Sequence, residues 1–364
     1  MPIYMDRHFV PGITAKDAAS AHREDVNIQE KLGCRAITYW VDEERDSAFC
    51  LIDAPDIETV KKMHDEAHGL VPHEIIPVNS NVVEAFLGRI SDPEVCISED
   101  NLKIFNDPAF RIILVTKAKD PLLLVEELGK EKATELLQLK NNIIREQIQK
   151  YEGREVDLDG IGFVVSFISI VQAVDCARAI QKALHIAAEL IDLRIGLHAG
   201  LPVNKHKQLF GKTINYARYL CDTAQGNQII VSALVNKLYK KNTVVDTSEK
   251  ITYLNETEED VLQAILETLE GHWRDPQFGV EKFSRALSLS KSNLYRKCMN
   301  ITGMSPNALI REFRLQKALT LINSKGRNIS QTTFDCGFNS PSYFTKCFHD
   351  RFGIKPHDYM KLAV

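Results

Sequence analysis

The sequence predicts a multidomain α+β protein whose last domain is entirely helical. The chain has 364 residues, too many for one domain of average size, and this length indicates two or three domains. Alternating strand and helix patterns fill the first 80 residues and return after residue 108. The final hundred residues instead show helical periodicity throughout, with one pair of short helices repeated at an offset of 50 residues.

The composition is that of an ordinary globular protein, with 44% hydrophobic and 26% charged residues. The sequence contains no apolar run long enough to span a membrane and begins without a signal-peptide pattern. We therefore expect a cytoplasmic protein with no membrane partner. The eight cysteines are scattered and include no CxxC pair, which favours reduced thiols over a disulfide framework.

The net charge of −4 is unevenly distributed along the chain. Residues 262–364 contain 15 Lys and Arg against 8 Asp and Glu, a charge of +7, so the rest of the chain carries −11. A basic terminal domain on an acidic body fits a domain that binds phosphates, although basic faces are often merely solvated. The charge gains weight only in combination with the helical repeat.

Residues 1–80 are predicted to form a domain with the element order βαββαβ. Strands are expected over 2–10, 36–41, 48–52 and 74–78, and helices over 14–32 and 56–69. This order is that of a ferredoxin-like fold. Small domains of this kind often pair their sheets into a dimer, which is one reason to expect a homodimer.

Histidines and carboxylates are concentrated in this first domain. His64 and His68 are four residues apart and share a helix face, while Asp6 and His8 alternate along a strand and share a sheet face. Imidazole together with carboxylate suits zinc, nickel, copper or cobalt. The alternative is that each histidine is solvated or hydrogen-bonded and holds no metal.

Residues 3–78 resemble a small bacterial family described as nickel-binding. The resemblance is carried by Tyr4-Met5-Asp6-x-His8, Ala21-His22, Phe49-Cys50, Ala54-Pro55 and His64-x-x-x-His68-Gly69. It implies a divalent transition metal, nickel or zinc, as cofactor. The candidate ligands are Asp6, His8, His22, Cys50, His64 and His68.

Residues 81–108 are polar and are predicted to be a linker, followed by a second α+β domain over 109–245. The expected elements are strands over 111–116, 192–199 and 228–231, a hairpin over 154–167, and helices over 124–150, 170–190 and 212–224. The segments Arg194-Ile195-Gly196-Leu197-His198-x-Gly200, Phe210-Gly211 and Asn215 resemble the class III adenylate/guanylate cyclase homology domain. Such domains pair head to tail, with the cleft at the dimer seam.

The cyclase machinery implied by this resemblance is largely replaced. Cyclases hold two metal ions with two carboxylates, because the metals stabilise the attacking and leaving oxygens. Those carboxylates fall here on Lys117 and Ile161. The base-recognising lysine and its aspartate partner, the transition-state asparagine and the transition-state arginine fall on Asp157, Gln208, Asn215 and Tyr219, with Arg218 one place out of register.

The second domain is therefore predicted to have no enzymatic activity. A dimerisation scaffold is one interpretation, and a nucleotide sensor that keeps a ligand pocket is the other. Asp120 and Asp159 lie near the lost carboxylates in sequence and leave a shifted metal site open.

A polar linker over 246–260 leads into a helical domain over 261–364, with its first helix over 261–273. Moving back 50 residues pairs Ser340 with Ser290 and Gly353 with Gly303. Each copy has a short helix, a turn and a second helix that begins at serine, a preferred N-cap residue. An amphipathic helix that begins after Ser305 could hold both copies at a fixed separation. This is the layout of a double helix-turn-helix that reads DNA.

Residues 262–364 resemble the AraC/XylS-type DNA-binding domain. The signature is visible as Cys336-Gly337-Phe338, Ser342-Tyr343-Phe344, Phe348, Phe352-Gly353 and Lys355-Pro356. Within the last reading helix, Tyr343, Phe344, Cys347, Phe348 and Phe352 recur at helical spacing and are expected to face a core. The resemblance implies a transcriptional regulator with double-stranded DNA as its partner.

The family's DNA-contacting positions can be placed on this sequence. The base-contacting positions fall on Ser292, Tyr295 and Arg296 in the first unit and on Ser342, Tyr343 and Lys346 in the second. Lys291, Lys297 and Thr345 are expected to reach the DNA backbone. Arg296 and Lys346 could bind guanine N7 and O6, although each surface lysine or serine could equally be solvated. Pro341 replaces a frequent polar contact, so the second unit is expected to read less sequence.

The leading hypothesis is a sequence-specific DNA-binding transcriptional regulator whose other two domains serve sensing and dimerisation. We expect a homodimer with a small-molecule or nucleotide effector. One alternative is a nucleotide cyclase with regulatory flanking domains. The other is a metal-binding or storage protein with incidental affinity for DNA.

Overall fold

The computed structural model describes residues 1–94, 102–158, 162–187, 191–204, 208–224, 226–240, 251–323 and 328–362. The architecture is multidomain α+β, as the sequence predicts: a four-stranded sheet, a six-stranded sheet and a helical C-terminal domain follow one another. Over these ranges, none of the helices has the length and hydropathy needed to cross a membrane.

The N-terminal domain has the predicted order βαββαβ. Its elements are β1 (Ile3–Phe9), α1 (Ala15–Leu32), β2 (Arg35–Asp42), β3 (Ser47–Asp53), α2 (Ile57–His68) and β4 (Glu74–Val78). The strands form one antiparallel sheet in the order β2-β3-β1-β4. Local sequence places the helix ends: Thr14 and Asp17 form a capping box before α1, and Gly33 ends α1 with a φ of 64°.

The two faces of this sheet have different coverings. On one face, Tyr4, Tyr39 and Ile52 pack in a cluster under α1 and α2. On the other face, Met5, Trp40, Phe49 and Leu51 join a cluster that continues into the middle domain. The face expected to pair with a second sheet is therefore covered by the protein's own chain.

A helix lies in the segment predicted as a linker over 81–108, and this prediction needs correction. α3 (Ser80–Leu87) begins after Asn79, whose side chain accepts a hydrogen bond from the Asn81 amide. Val83, Phe86 and Leu87 are buried in the core shared by the two domains. The sequence pattern did not predict α3, because only three residues of this helix are buried and the residues around it are polar.

The middle domain surrounds a six-stranded sheet in the order β10-β9-β8-β5-β7-β6. Its elements are β5 (Arg111–Ala118), α4 (Pro121–Leu128), α5 (Lys130–Lys150), β6 (Arg154–Val156), β7 (Val164–Phe167), α6 (Ile170–Ala187), β8 (Leu193–Gly200), α7 (Gly211–Thr223), β9 (Ile229–Val231), α8 (Ala233–Lys240) and β10 (Ile251–Tyr253). The helix predicted over 124–150 is two helices, because the chain turns at Gly129 with a φ of 79°. β10 lies in the predicted 246–260 linker and pairs with β9.

The C-terminal domain is all helical. It contains α9 (Glu256–His272), α10 (Val280–Ala286), α11 (Lys291–Thr302), α12 (Pro306–Ile322), α13 (Ile329–Asp335), α14 (Pro341–Phe352) and α15 (Pro356–Leu362). Ser290, Ser305 and Ser340 each cap the helix that follows through their side-chain oxygen. α9 begins five residues before the predicted start at Val261, because Asn255 and Glu258 form a capping box inside the predicted linker.

Two apolar clusters divide this domain into two helix-turn-helix units joined by α12. The first unit buries Ile265, Leu269, Phe283, Leu294, Cys298, Leu309 and Ile310. The second buries Trp273, Leu315, Ala318, Ile322, Cys336, Phe338, Phe344, Cys347, Phe348, Ile354 and Tyr359. Phe313 packs against both clusters, so α12 holds the two units together as its amphipathic pattern predicts.

Candidate metal centre and candidate DNA interface

Four potential ligands meet between the N-terminal sheet and its helices. Asp6 and His8 lie on β1, Cys50 lies on β3 and His64 lies on α2, and one ligand atom of each is within 4.8 Å of the others. The Asp6 carboxylate lies 2.9 Å from His64 Nε2 and 3.3 Å from His8 Nε2. It also accepts a hydrogen bond from the Cys50 amide at 3.1 Å. All four residues are buried.

A second group shares His64 with the first. His64 Nδ1 lies 3.2 Å from Asp25 Oδ1, and His68 Nε2 lies 3.3 Å from the same oxygen. The spacing of His64 and His68 therefore has the predicted effect of directing both rings to one place. Asp25 is absent from the sequence-based candidates, although its spacing from Ala18 and His22 puts it on the buried stripe of α1. A carboxylate on such a stripe was the available signal.

The electrostatics of these groups favour a bound positive charge. Although burial opposes it, the carboxylates of Asp6 and Asp25 raise the pKa of His64 to about 10. Burial also opposes ionisation of Asp6, yet the neighbouring His64 and His8 hold the pKa of its carboxyl well below the usual range. Burial next to carboxylates raises the pKa of the Cys50 thiol well above its usual value.

The donor set fits a divalent transition metal ion. His8 Nε2 and Asp25 Oδ1 are buried, and although each lies 3.2–3.3 Å from an oppositely charged group, neither forms a well-aligned hydrogen bond within the described ranges. Buried polar atoms without a well-aligned hydrogen bond are costly, and a shared cation would satisfy them. Imidazole, carboxylate and thiolate are the ligand types that nickel and zinc accept.

His22 is the one predicted ligand that the structure places outside both groups. Its ring lies 5.3 Å from that of Tyr39, and its Nε2 atom is 3.8 Å from Asp92 Oδ1. Asp92 follows α3, so this histidine contacts the segment that leaves the domain. Burial lowers the pKa of His22.

In the middle domain, the position of the first cyclase carboxylate is engaged in an ion pair. Lys117 on β5 donates to Asp222 on α7. Asn215 is exposed, and the Tyr219 hydroxyl donates to Glu270 on α9 at 3.3 Å. Asp120 caps α4 and accepts from the Tyr359 hydroxyl, so this carboxylate is already used.

Two further cyclase positions, Asp157 and Gln208, are exposed. Ile161, the position of the second carboxylate, and Asp159, the candidate for a shifted site, lie outside the residues that the structure describes.

In the first helix-turn-helix unit, the predicted base-contacting side chains lie on one outer face of α11. Ser292, Tyr295 and Arg296 are exposed, whereas Leu294 and Cys298 on the opposite side are buried. A groove of about 570 Å³ lies between this face and the start of α12, and its lining includes Lys291, Ser305 and Asn307.

In the second unit, α14 presents a corresponding face. Ser342 and Lys346 are exposed and Thr345 is half-buried. Tyr343 was expected both in the core and at DNA, and the first expectation is wrong because its side chain is 52% exposed. Phe344, Cys347 and Phe348 fill the buried side of the helix, which leaves Tyr343 at its edge beside Phe338.

The cationic side chains on the outer faces of α11 and α14 differ in whether they already form an ion pair. Lys291 lies 3.8 Å from the exposed carboxylate of Glu281. Arg296, Lys297 and Lys346 make no ion pair with any of the residues that the structure describes. Uncommitted cations on an exposed helix face are free to meet phosphates or base edges.

Comparison with known families identifies the classes of two domains. Residues 283–362 match the family described as "Helix-turn-helix domain", and residues 4–78 match the family "Nickel responsive protein SCO4226-like". The AraC/XylS-type and nickel-family resemblances of the sequence are confirmed by these matches, and the fold of each matched region has the expected elements.

Individual relatives cover parts of the chain. Histidine kinase P4 of Formosa agariphila is 24% identical over 320 residues, which are 83% of this chain and 23% of that protein. The HTH-type transcriptional activator RhaS of Mannheimia succiniciproducens is 31% identical over 78 residues, covering 21% of this chain and 29% of that protein. The chain thus spans less than a third of the length of either relative.

Two solved structures are similar to parts of the chain. SCO4226 from Streptomyces coelicolor is 28% identical, with 21% of this chain and 94% of that chain covered and a TM-score of 0.20. An adenylate/guanylate cyclase/hydrolase from Silicibacter pomeroyi is 23% identical, with 37% and 81% covered and a TM-score of 0.32.

Proposed function

We propose that the protein is a sequence-specific DNA-binding transcriptional regulator of the AraC type, acting in the cytoplasm. The observation that carries the proposal is the pair of serine-capped helices, α11 and α14, held on one scaffold with their polar and cationic faces exposed. Helices of this kind insert into successive major grooves, where side chains reach base edges. The family match over 283–362 supports the same function.

Arg296 is the proposed principal reader of a base. Its guanidinium is exposed on α11, makes no ion pair with the described residues and can donate two parallel hydrogen bonds to guanine. Ser292 and Tyr295 flank it on the same face. Lys291, Lys297 and Thr345 are assigned to the DNA backbone, and Ser342, Tyr343 and Lys346 to the second subsite.

The experiment is selection of duplexes from a random pool with the full chain, followed by affinity measurements on single-base variants of the selected site. Arg296→Ala should cost about 1–3 kcal/mol on the selected site and relax the preference at one base pair. Lys297→Ala is the matched control and should weaken all duplexes alike. Equal losses for Arg296→Ala on selected and random DNA would remove Arg296 from base readout, and no enrichment at all would remove the function.

For the N-terminal domain we propose a sensing role through a divalent transition metal, nickel or zinc. Asp6, His8, Cys50 and His64 would hold the ion, with Asp25 and His68 beside His64. The ion would supply a fixed positive charge among buried carboxylates. His22 on α1 is not among these ligands, and it contacts Asp92 in the segment that joins the domains.

The metal proposal is tested by metal analysis of the purified protein and by titration with Ni²⁺ and Zn²⁺. His64→Ala should weaken binding by about tenfold or more, since loss of even a supporting residue has that effect. His73→Ala, an exposed histidine of the same domain, should not. DNA affinity measured with and without chelator separates a metal sensor from a metal-storage protein, because storage predicts unchanged affinity.

For the middle domain we propose a non-catalytic role in dimerisation or in binding a nucleotide effector. The Lys117–Asp222 ion pair supports it, since an ammonium group stands where a cyclase needs a metal carboxylate. Incubation with labelled ATP or GTP and Mn²⁺ should give no cyclic product. Light scattering of the full chain should show a dimer, and a monomer at working concentration would exclude the dimerisation role.

A further inference from the structure

One arginine lies at the junction of the two helix-turn-helix units. Arg314 is on α12, and its Nε donates to the Trp273 carbonyl at 2.9 Å. Its Nη2 donates to the carbonyls of Asp275 and Phe278 at 2.7 and 3.2 Å. These three carbonyls form the turn between α9 and α10, where the first unit begins.

The second unit contacts the same point from the other side. Gly337 lies in the turn between α13 and α14 with a φ of 73°, and a Cβ atom placed there would be 2.4 Å from the Trp273 carbonyl oxygen. The same Cβ would be 3.0 Å from Arg314 Nε. The Trp273 side chain packs into the core of the second unit. The Trp273 carbonyl is therefore a point where both units and α12 meet.

We propose that Arg314 is a positioning residue that fixes the orientation of α14 relative to α11, so that the protein reads two subsites at one spacing. α12 has 17 residues, about 25 Å of helix, and sets the separation of the units. It does not by itself prevent rotation of one unit against the other. The planar guanidinium, bonded to three carbonyls and packed against Gly337, restrains that rotation.

The chemistry of the side chain explains why an arginine is required. A guanidinium presents several donors in one rigid plane, whereas a lysine ammonium is a single point on a flexible stem. Binding sites need their contacting groups held within about 10–20° of the productive geometry. The inference rests on the proposed DNA-binding function, because it concerns how two reading helices are presented together.

The test uses the full chain and the duplex selected by the wild-type protein. Arg314→Lys and Arg314→Gln are compared with Arg311→Gln, an exposed arginine on the same helix. Three duplexes are used: the intact site, the site with its second subsite scrambled, and the site with one base pair inserted between subsites. An insertion moves the second subsite by about 3.4 Å along the axis.

Wild type and Arg311→Gln should lose about tenfold or more in affinity on the insertion. The Arg314 variants should bind the intact site about tenfold more weakly, bind the scrambled site like wild type, and distinguish insertion from intact site by less than about twofold. An unchanged spacing dependence, or equal losses on intact and scrambled sites, would overturn the proposal.

A second pair of variants approaches the junction from the other unit. Gly337→Ala places a methyl against the Trp273 carbonyl, whereas Gly353→Ala has a similar φ of 77° but meets no atom within 4 Å. Gly337→Ala alone should flatten the spacing dependence, and equal behaviour of the two variants would contradict the inference. If the wild-type chain enriches no duplex, the proposed function fails, which is a different outcome from a failed spacing test.

Discussion

The middle domain contacts its two neighbours in different ways. Against the N-terminal domain it forms one continuous apolar core, in which Phe49, Phe86 and Phe210 are completely buried. Against the C-terminal domain it has two smaller and separate apolar contacts. Leu262 and Leu266 of α9 meet Leu220 of the middle domain, and Leu123 of α4 is buried in the core of the second helix-turn-helix unit. The interface with the N-terminal domain resembles the inside of a single domain, and the interface with the C-terminal domain resembles one between separate domains.

Polar contacts supplement the second interface at separate places. The Glu259 carboxylate accepts from the Ala233 amide at the start of α8. Tyr219 donates to Glu270 at 3.3 Å, and Tyr359 donates to Asp120 at 3.0 Å. Burial of a continuous apolar surface outweighs a few partly exposed hydrogen bonds. We therefore expect the N-terminal and middle domains to unfold together, and the DNA-binding domain to move or unfold more independently.

The largest expected effect comes from truncating a large side chain in the core that the N-terminal and middle domains share. Phe86 is completely buried on α3, with its ring 4.8 Å from that of Phe210. Phe86→Ala should lower the free energy of unfolding by about 3–5 kcal/mol. Denaturant titration followed by separate probes in the two domains should show both signals shifting together.

The matched control is Phe9→Ala, because Phe9 is 47% exposed in the same domain. It should change stability by less than about 0.5 kcal/mol. If Phe86→Ala shifted the signal of only one domain, the contrast between the two interfaces would be lost.

A smaller effect is expected at the contact between α4 and α15. Tyr359→Phe removes the hydroxyl that donates to Asp120 and should cost about 0.5–1.5 kcal/mol. Hydrogen exchange should become faster in α15 and α4 and stay unchanged in β1 and β5. His357→Ala, at an exposed position of α15, serves as the control, and faster exchange in β1 would show that the two interfaces are coupled.

The smallest expected effect is a pH dependence inside the DNA-binding domain. Although burial opposes it, Arg351 and Gln316 hold the pKa of the Glu312 carboxyl below its usual value of 4.5. The folded domain therefore binds fewer protons than the unfolded chain in this range. Its stabilisation should be complete above pH about 4.5 and disappear as the pH falls through the folded-state pKa, by about 1 kcal/mol at most.

Glu312→Gln should remove this dependence, measured as the unfolding midpoint of the DNA-binding domain at pH values of about 3, 4, 5 and 6, which bracket the usual pKa of 4.5. The wild-type midpoint should fall more steeply than that of the variant over this range. If the unfolding midpoints of wild type and variant fell in parallel with pH, the Glu312–Arg351 ion pair would not contribute to the pH dependence.

Much of the secondary structure follows from local sequence, and so does part of the candidate metal site. The serine caps at 290, 305 and 340 and the capping box at Thr14 act within four residues, so a sequence pattern is enough to locate them. The convergence of His64 and His68 follows from the helical repeat. Strand alternation placed His8 beside Asp6, and the family resemblance added Cys50, which lies on a different strand but in the same group.

Other features depended on contacts between distant residues. Asp25 joins the metal groups only because α1 packs beside α2, and Tyr343 is exposed because Phe344, Cys347 and Phe348 already fill the core. α3 lies within a polar stretch of the sequence. Its few apolar residues are buried because they pack in one cluster with strand residues of both sheets.

The sequence by itself therefore determined the order of elements in the first domain, several helix caps and the reading helices, because hydrogen bonds and periodicity within a few residues decide them. The tertiary structure alone decided that the first sheet is covered by its own chain, that Lys117 pairs with Asp222, and that Arg314 joins two units. Burial and pairing of this kind depend on which surfaces meet after folding. The local sequence pattern does not identify the distant residues that a side chain will contact.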